Sequence, residues 1–430
     1  MAPDGASSRT RSEGQLIDDF LAGLQQDFPN HAAGTRPIHT VGTGAVGWFL
    51  PTDIASKYCK APHFARGRKT PVRVRFSNGN GQADPDGRLQ VRGMAIRFYV
   101  GATLVEIDDE DGIRHTGTGE AAPEGTDDDA IVQRGEEAVV MTDLLCMSVP
   151  VFMATSLADT IAFQQAVTER KVHRPGLLAR LHSLVTMRPL PSQEHGVTRS
   201  GAVGGIALAN GYRPAQGFAV ESSMLRLPDS YARTLYHAVH AFAIEDRDAR
   251  IRMVRFFVEP AQGVRTKGPG EPAHSLIGAA LSQPTINGYG STLPERYLTS
   301  ELAERLARGP SRFNLRIQIA DPWDDTKDPT KVWPMARKRI LLGTITLQRP
   351  VDDPDAECER LSFNPGRLID GIRPSDDPVL AVRIATYEES YRRRMKARGI
   401  PVADEECPIH RSSAPAPTVS SVLEERPELG

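Results

Sequence analysis

Residues 375–399, with the sequence SDDPVLAVRIATYEESYRRRMKARG, constrain the fold most, because both ends of a helix can be read from them. Ser375 can cap the first turn, acidic residues follow where the helix dipole is positive, and Pro378 sits where a missing N–H costs nothing. Arginines near the other end and Gly399 mark the stop. The sequence therefore predicts one long helix with defined limits.

Arg383 and Tyr387 are the pair in this helix that could carry chemistry. Arg383 lies one turn before Tyr387, so its guanidinium can reach the phenol oxygen and favour the ionised form. A phenolate is a hard anionic ligand that suits ferric iron. Taken from the helix alone, the alternative is a buried tyrosine with a satisfied hydroxyl beside an arginine in a surface ion pair.

The composition is typical of a soluble globular protein. A chain of 430 residues, 40% of them hydrophobic, can bury one large or two medium cores. The formal net charge of −2 implies no general attraction to nucleic acid or to an anionic membrane. The first fifteen residues are polar and no run reaches membrane-spanning length, so the cytoplasm is the expected location. Single, scattered cysteines favour reduced thiols over disulfides or a zinc site.

Alternating apolar residues predict an antiparallel sheet. Residues 71–99 form a hairpin pattern with its turn at 78–87. The remaining predicted elements are strands that start at 142 or span 236–243, 250–258, 312–320 and 340–348, and helices over 15–28, 164–190 and 296–309. Residues 106–137 are acidic and rich in glycine, which predicts a solvated insertion rather than a domain.

The segment 42–47 matches the GxGxxG pattern of dinucleotide-binding proteins. That pattern requires a helix after the glycines, whereas residues 48–50 continue as a strand and Pro51 forbids an immediate helix. We therefore interpret these glycines as positions of close backbone approach inside a strand.

A colinear series of blocks resembles the heme catalase family, specifically its shorter, catalase-related peroxidase members. The blocks are IHTVGTGAVGWF, PVRVRFSNGNG, RGMAIRFY, AVHAF, PTKVWP, LSFNPG, GIRPSDDPVL and RIATY. The resemblance implies an α+β fold built on an eight-stranded antiparallel β-barrel with flanking helices. It divides the chain into an N-terminal arm (1–30), a heme domain (31–398, with the insertion 106–137) and a tail (399–430).

The same resemblance implies roles for individual residues around heme b. Tyr387 becomes the axial phenolate, which Arg383 tunes, and His39 becomes the distal acid/base, which Ser77 orients. Three arginines match positions that pair with the heme propionates, and one aromatic residue matches a position over the heme. These are Arg36, Arg75, Arg394 and Phe152.

The distal side departs from the family pattern. Met147 stands where catalases have an asparagine, with Ser148 beside it, and a thioether is only a weak hydrogen-bond acceptor. Oxidation of a second peroxide should therefore be inefficient. Met335 replaces a histidine associated with NADPH, so we do not predict NADPH.

The predicted function is that of a heme peroxidase. It would reduce hydrogen peroxide or organic hydroperoxides through a ferryl intermediate. Its candidate partners are a small-molecule reductant and further copies of the same chain. The alternatives are an ordinary catalase, a hydroperoxide isomerase or biosynthetic heme oxidase, and a heme-binding protein without turnover.

Overall fold

The computed structural model describes residues 13–27, 33–79, 85–87, 90–101, 140–157, 160, 217–218, 220–221, 225–267 and 293–402. The helices there are α1 (Glu13–Asp27), α2 (Tyr297–Arg308) and α3 (Pro378–Ala397), with a π-helical turn at Asp355–Glu359. The strands are β1 (Gly42–Pro51), β2 (Thr70–Asn78), β3 (Arg92–Tyr99), β4 (Met141–Met147), β5 (Tyr236–His237), β6 (Phe242–Glu245), β7 (Ile251–Pro260), β8 (Ser311–Ile319), β9 (Arg339–Pro350) and β10 (Ile372–Pro374).

Eight of these strands close into a barrel. The neighbours run β7-β5-β4-β3-β2-β1-β9-β8, and β8 pairs again with β7. Each pairing is antiparallel, while β6 and β10 extend the sheet beyond β7. The predicted antiparallel eight-stranded barrel is confirmed.

Apolar side chains that alternate along the strands fill the barrel. Phe49 lies at its centre and makes edge contacts with Phe64 and Phe98, at ring-centroid distances of 5.8 and 5.4 Å. Such edge-to-face pairs add about 0.5–1.5 kcal/mol beyond the area they bury. This packing fixes the positions of β1, β2 and β3, whose ends at Gly42, Asn78 and Arg92 lie together at one edge of the barrel.

The glycine-rich segment is part of β1, as expected. At Gly47 a Cβ atom would collide with the backbone of Thr346 on the neighbouring β9. Only a residue without a side chain allows the two strands to approach this closely, which confirms the interpretation of these glycines as strand residues.

Two boundaries differ from the sequence predictions. The cap of α3 is Asp377 rather than Ser375, because the Asp377 carboxylate accepts hydrogen bonds from the N–H groups of Val379 (2.9 Å) and Leu380 (3.3 Å). The predicted strand 236–243 is interrupted between β5 and β6, where the chain leaves the sheet and His240 turns towards Asp377.

The acidic insertion, the predicted helix at 164–190 and most of the tail lie outside the described residues. Among the helices that the structure describes, none has both the length and the apolar character that crossing a membrane requires.

Candidate active site

Most of the predicted site residues line one cavity of about 520 Å³. Its walls come from the edge of the barrel where β2 and β4 end and β3 begins, from α3, and from Phe20 and Leu21 of α1. The predicted residues in the lining are Arg36, His39, Arg75, Ser77, Met147, Phe152, Arg383, Tyr387 and Arg394. The barrel and the helix thus bring together residues that lie more than 350 positions apart in the chain.

His39 and Ser77 form a hydrogen-bonded pair on one side of the cavity. Nδ1 of His39 lies 3.0 Å from the hydroxyl of Ser77, which stands near the end of β2. The His39 backbone has a positive φ of 54°, which is uncommon for a residue other than glycine. Its carbonyl accepts a 2.7 Å hydrogen bond from Arg75, so the backbone is held in this conformation.

The environment of His39 keeps its imidazole neutral. Burial, together with the positive charges of Arg75, Arg383 and Arg36, lowers the pKa of His39 to about 3. A neutral imidazole has one nitrogen with a free lone pair, and this nitrogen is unprotonated at any ordinary pH.

Arg383 and Tyr387 form a second pair in the lining of the same cavity. Both belong to α3, which buries Val379, Val382 and Met395 and presents the pair to the cavity. Nη2 of Arg383 donates to the phenol oxygen of Tyr387 at 3.0 Å. The cavity is thus bounded by a histidine on the barrel side and by a phenol oxygen on the helix side.

Arginines at one end of the cavity gather around Glu359, a residue that the sequence analysis did not single out. Glu359 accepts from Arg36 and from Nε of Arg75 at 2.8 Å, while its carbonyl accepts from Arg394. Three guanidinium groups therefore surround one acidic residue, two of them bound to its carboxylate and the third to its backbone carbonyl. Within this cluster, two positive charges have no counter-charge among the described residues.

Burial and the excess positive charge lower the pKa values of two arginines in this cluster. Burial, with the nearby Arg36, lowers the pKa of Arg394 to about 8. Burial and the nearby Arg75 likewise lower the pKa of Arg36 to about 10, against the opposing pull of Glu359. The buried Nε of Arg394 has no hydrogen-bond partner in the described part of the chain. A ligand with two carboxylates would neutralise the cluster, and heme has two such groups.

Tyr387, the arginine cluster and the cavity between them fit a heme. The phenol oxygen of Tyr387 is a hard oxygen ligand of a kind that heme iron accepts. Arg383 and Phe152 stack at 5.3 Å, which keeps an aromatic ring beside this ligand.

The two candidates at the end of β4 lie in different surroundings. Met147 lines the cavity, whereas Ser148 is not part of the lining. The hydroxyl of Ser148 instead accepts a 2.9 Å hydrogen bond from the N–H of Arg92, and it thereby ties β4 to the start of β3. A direct role for Ser148 in peroxide chemistry stays an untested prediction.

Two histidines near the cavity were missed from the sequence. His240 pairs through Nδ1 with the buried carboxylate of Asp377 at 2.6 Å, next to the ring of Phe152. His237 lines the cavity directly and stands opposite Met147 in the sheet. Burial and the nearby Arg339 lower the pKa of His237 to about 4, so it is neutral. In the sequence, the two histidines stand three residues apart in the HAVH segment of a predicted strand. A role in the site could not be inferred from this spacing, because it depends on the positions of α3 and β4 in the fold.

Comparisons with known proteins identify the family of this chain. The family model for Catalase matches residues 3–104 and 215–419. A "Catalase-related peroxidase" of Mycolicibacterium paratuberculosis is 31% identical over 362 residues, which cover 84% of this chain and 89% of that protein. A "Catalase-related peroxidase" of Synechococcus elongatus is 26% identical, over 89% of this chain and 90% of the other.

A solved structure shares the fold. Catalase A from Saccharomyces cerevisiae matches with a TM-score of 0.59 at 18% identity, over 94% of this chain and 70% of that chain.

Proposed function

The chain belongs to the heme catalase family, as a member of its catalase-related peroxidase type, and from this premise we propose that it reduces peroxide at heme b with electrons from a small organic donor. One observation carries the proposal. The His39–Ser77 pair and the Arg383–Tyr387 pair line the same cavity, beside an arginine cluster with two uncompensated positive charges.

The residues that would hold the cofactor are those of α3 and of the arginine cluster. Tyr387 would ligate the iron through its phenol oxygen, and Arg383 would stabilise the negative charge on that oxygen. Arg36, Arg75 and Arg394 would bind the two carboxylates of the cofactor. Bound heme would supply the redox-active iron at which the O–O bond of peroxide is broken.

His39 would act as general base and then as general acid. In the tautomer with the proton on Nδ1, His39 would donate to Ser77, and the lone pair of Nε2 would be free to take a proton from the incoming peroxide. The same nitrogen then delivers that proton to the departing oxygen, so that water or an alcohol leaves rather than an anion. At a pKa of about 3 the imidazole is unprotonated throughout the ordinary pH range, so its base form is present before peroxide arrives.

The lining beside the two pairs is mainly apolar and supports organic hydroperoxides as substrates in addition to hydrogen peroxide. Its apolar members include Met147, Phe152, Met153, Leu157 and Leu225. Such a wall can bury the apolar body of a hydroperoxide or of a phenolic donor.

The proposal places the enzyme in the cytoplasm. The described cysteines, Cys59, Cys146 and Cys358, are buried free thiols, as expected for a reducing compartment.

Purified protein tests the proposal in two measurements. A pyridine hemochrome assay should give the spectrum of heme b at about one heme per chain. Steady-state assays with peroxide should show faster oxidation of added guaiacol than evolution of oxygen. A heme-loaded protein that consumes peroxide only by evolving oxygen would contradict the peroxidase assignment, and one that consumes none would leave only heme binding.

A further inference from the structure

Gly42, Ser77 and Gly93 lie side by side on β1, β2 and β3. Gly42 pairs with Ser77, and Ser77 pairs with Gly93. Residues directly opposite each other on antiparallel strands project to the same face, with Cβ positions about 4.5–5.5 Å apart. Ser77, which contacts His39, is therefore flanked on both sides by residues without a side chain.

Gly93 lies directly against the His39–Ser77 pair. A Cβ atom added there would stand 2.6 Å from the Ser77 hydroxyl, 2.9 Å from Nδ1 of His39 and 3.0 Å from its Cε1. These three nearest atoms all belong to the hydrogen-bonded pair. Even the smallest side chain would thus force the imidazole, the hydroxyl or both to move.

The backbone of His39 is held by hydrogen bonds, so a backbone shift cannot simply move the imidazole away from a side chain added at Gly93. The N–H of His39 donates to Gly79 at 3.3 Å, and its carbonyl accepts from Arg75 at 2.7 Å. The left-handed φ of 54° is sparsely populated by non-glycine residues, so it persists only where its surroundings hold it. With the backbone held in this way, the position of the ring is set by its contacts with Ser77 and Gly93.

Gly42 makes the corresponding space on the other side of Ser77. A Cβ atom at Gly42 would stand 2.7 Å from Cζ and from Nη2 of Arg75, and 2.6 Å from the carbonyl of Phe76. This Nη2 is the atom that donates to the His39 carbonyl. Because Gly42 has no side chain, Arg75 of the arginine cluster has room beside it. Because Gly93 has none, the imidazole of His39 has room.

We propose that Gly93 is a positioning residue for His39, and that its missing side chain is what allows Nε2 to be aimed into the cavity. The inference rests on the acid/base role proposed for His39. Gly42 provides the comparison, because a methyl group there would meet Arg75 directly and would reach the imidazole only through the hydrogen bond from Arg75 to the His39 carbonyl.

Gly93→Ala in the heme-loaded protein tests the inference. We expect cyanide binding and peroxide consumption to slow by about 10–100-fold, since a displacement of about 1 Å can cost about 100-fold. Cyanide binds as an anion after HCN loses its proton to a base, so its rate reports on His39 without turnover. Heme content should stay near that of the wild type. Gly42→Ala should instead lower heme retention. Loss of heme from Gly93→Ala, with normal cyanide binding by the remainder, would overturn the inference.

A double-mutant cycle with His39→Ala separates positioning from general damage. If Gly93 acts through His39, adding Gly93→Ala to His39→Ala should change neither rate further. If the two effects instead multiply, the inference is wrong while the role of His39 stands. If His39→Ala alone has no effect, the proposed function fails at its acid/base step.

Gly343→Ala on β9 serves as the control for damage to the barrel. Its methyl group would meet the ring of Phe49, on β1, rather than the cavity. We expect a lower unfolding temperature and an unchanged cyanide rate. If Gly93→Ala does not fold, Ser77→Ala/Gly93→Ala, which lacks the hydroxyl nearest to the new methyl group, is compared with Ser77→Ala. An equal cyanide rate in those two variants would overturn the inference.

Discussion

Nη2 of Arg383 donates a 3.0 Å hydrogen bond to the phenol oxygen of Tyr387 from one turn earlier in the same helix. The guanidinium also lies 5.3 Å from the ring of Phe152. An arginine held in this way is a fixed positive charge beside the proposed iron ligand, so it should stabilise the phenolate form that binds ferric iron.

Replacement of Arg383 by leucine should therefore loosen the heme. A hydrogen bond to a charged group contributes about 1.5–3 kcal/mol, so we expect the heme affinity to fall by about 10–100-fold. Transfer of heme to apomyoglobin measures this loss. Arg393→Leu is the matched control, because Arg393 lies on the same helix but pairs with Glu389 and Asp18 at the surface. Equal heme loss in the two variants would contradict the pairing.

Local patterns in the sequence predicted the elements but not all of their contacts. The hairpin of β2 and β3 and the limits of α2 follow from alternation and helical periodicity, which act over a few residues. Glu359 gave no such signal, because its partners Arg36 and Arg75 lie more than 280 positions away. The interruption between β5 and β6 was missed for a similar reason, since it depends on Asp377 reaching His240. Arg383 and Tyr387 were identified as a pair from their helical spacing, and the other site residues came from the family resemblance.

His63 should make the fold sensitive to acid. It is buried among Phe49, Phe64 and Phe98, and its Nδ1 has no hydrogen-bond partner within the described chain. Burial, with the nearby Arg68, lowers the pKa of His63 to about 3, below the unfolded value of about 6.5. Between these values the unfolded chain binds the extra proton. Stability is therefore complete above about pH 6.5 and falls as the pH drops towards 3.

His63→Leu should flatten this dependence. One proton corresponds to at most about 1.4 kcal/mol per pH unit, so the wild type should lose about 2.5 kcal/mol more than the variant between pH 6.5 and 4.5. Urea unfolding at several pH values measures the difference. His39 and His237 remain in both proteins, so a residual slope is expected. Parallel curves for the two proteins would show that His63 does not carry this effect.

Glu359→Gln should destabilise the heme-free protein more than the heme-bound one. In the heme-free protein, Glu359 is the carboxylate that faces the buried guanidinium groups of Arg36 and Arg75. Its loss should lower the free energy of unfolding by about 3 kcal/mol, as is typical when a buried ion pair loses one partner. Two bound propionates would replace the missing charge. The difference between the unfolding temperatures with and without heme should therefore widen. An equal decrease in both forms would contradict charge compensation by the cofactor.

Met147 should set the balance between the two uses of peroxide. It lines the cavity and stands opposite Gly93 in the sheet, and Gly93 in turn lies against the His39 ring. A thioether cannot donate a hydrogen bond and accepts only weakly, so a second peroxide finds no donor at this position. Met147→Asn introduces an amide that can donate one. We expect the rate of oxygen evolution to rise relative to the rate of guaiacol oxidation, while the first reaction with peroxide is little changed because His39 is retained.

Met147→Leu removes the sulfur without adding a donor, and it should leave the ratio of the two rates near that of the wild type. Oxygen-electrode and donor assays on the three proteins give that ratio. A rise in Met147→Leu as large as that in Met147→Asn would attribute the effect to altered packing and not to the new hydrogen bond.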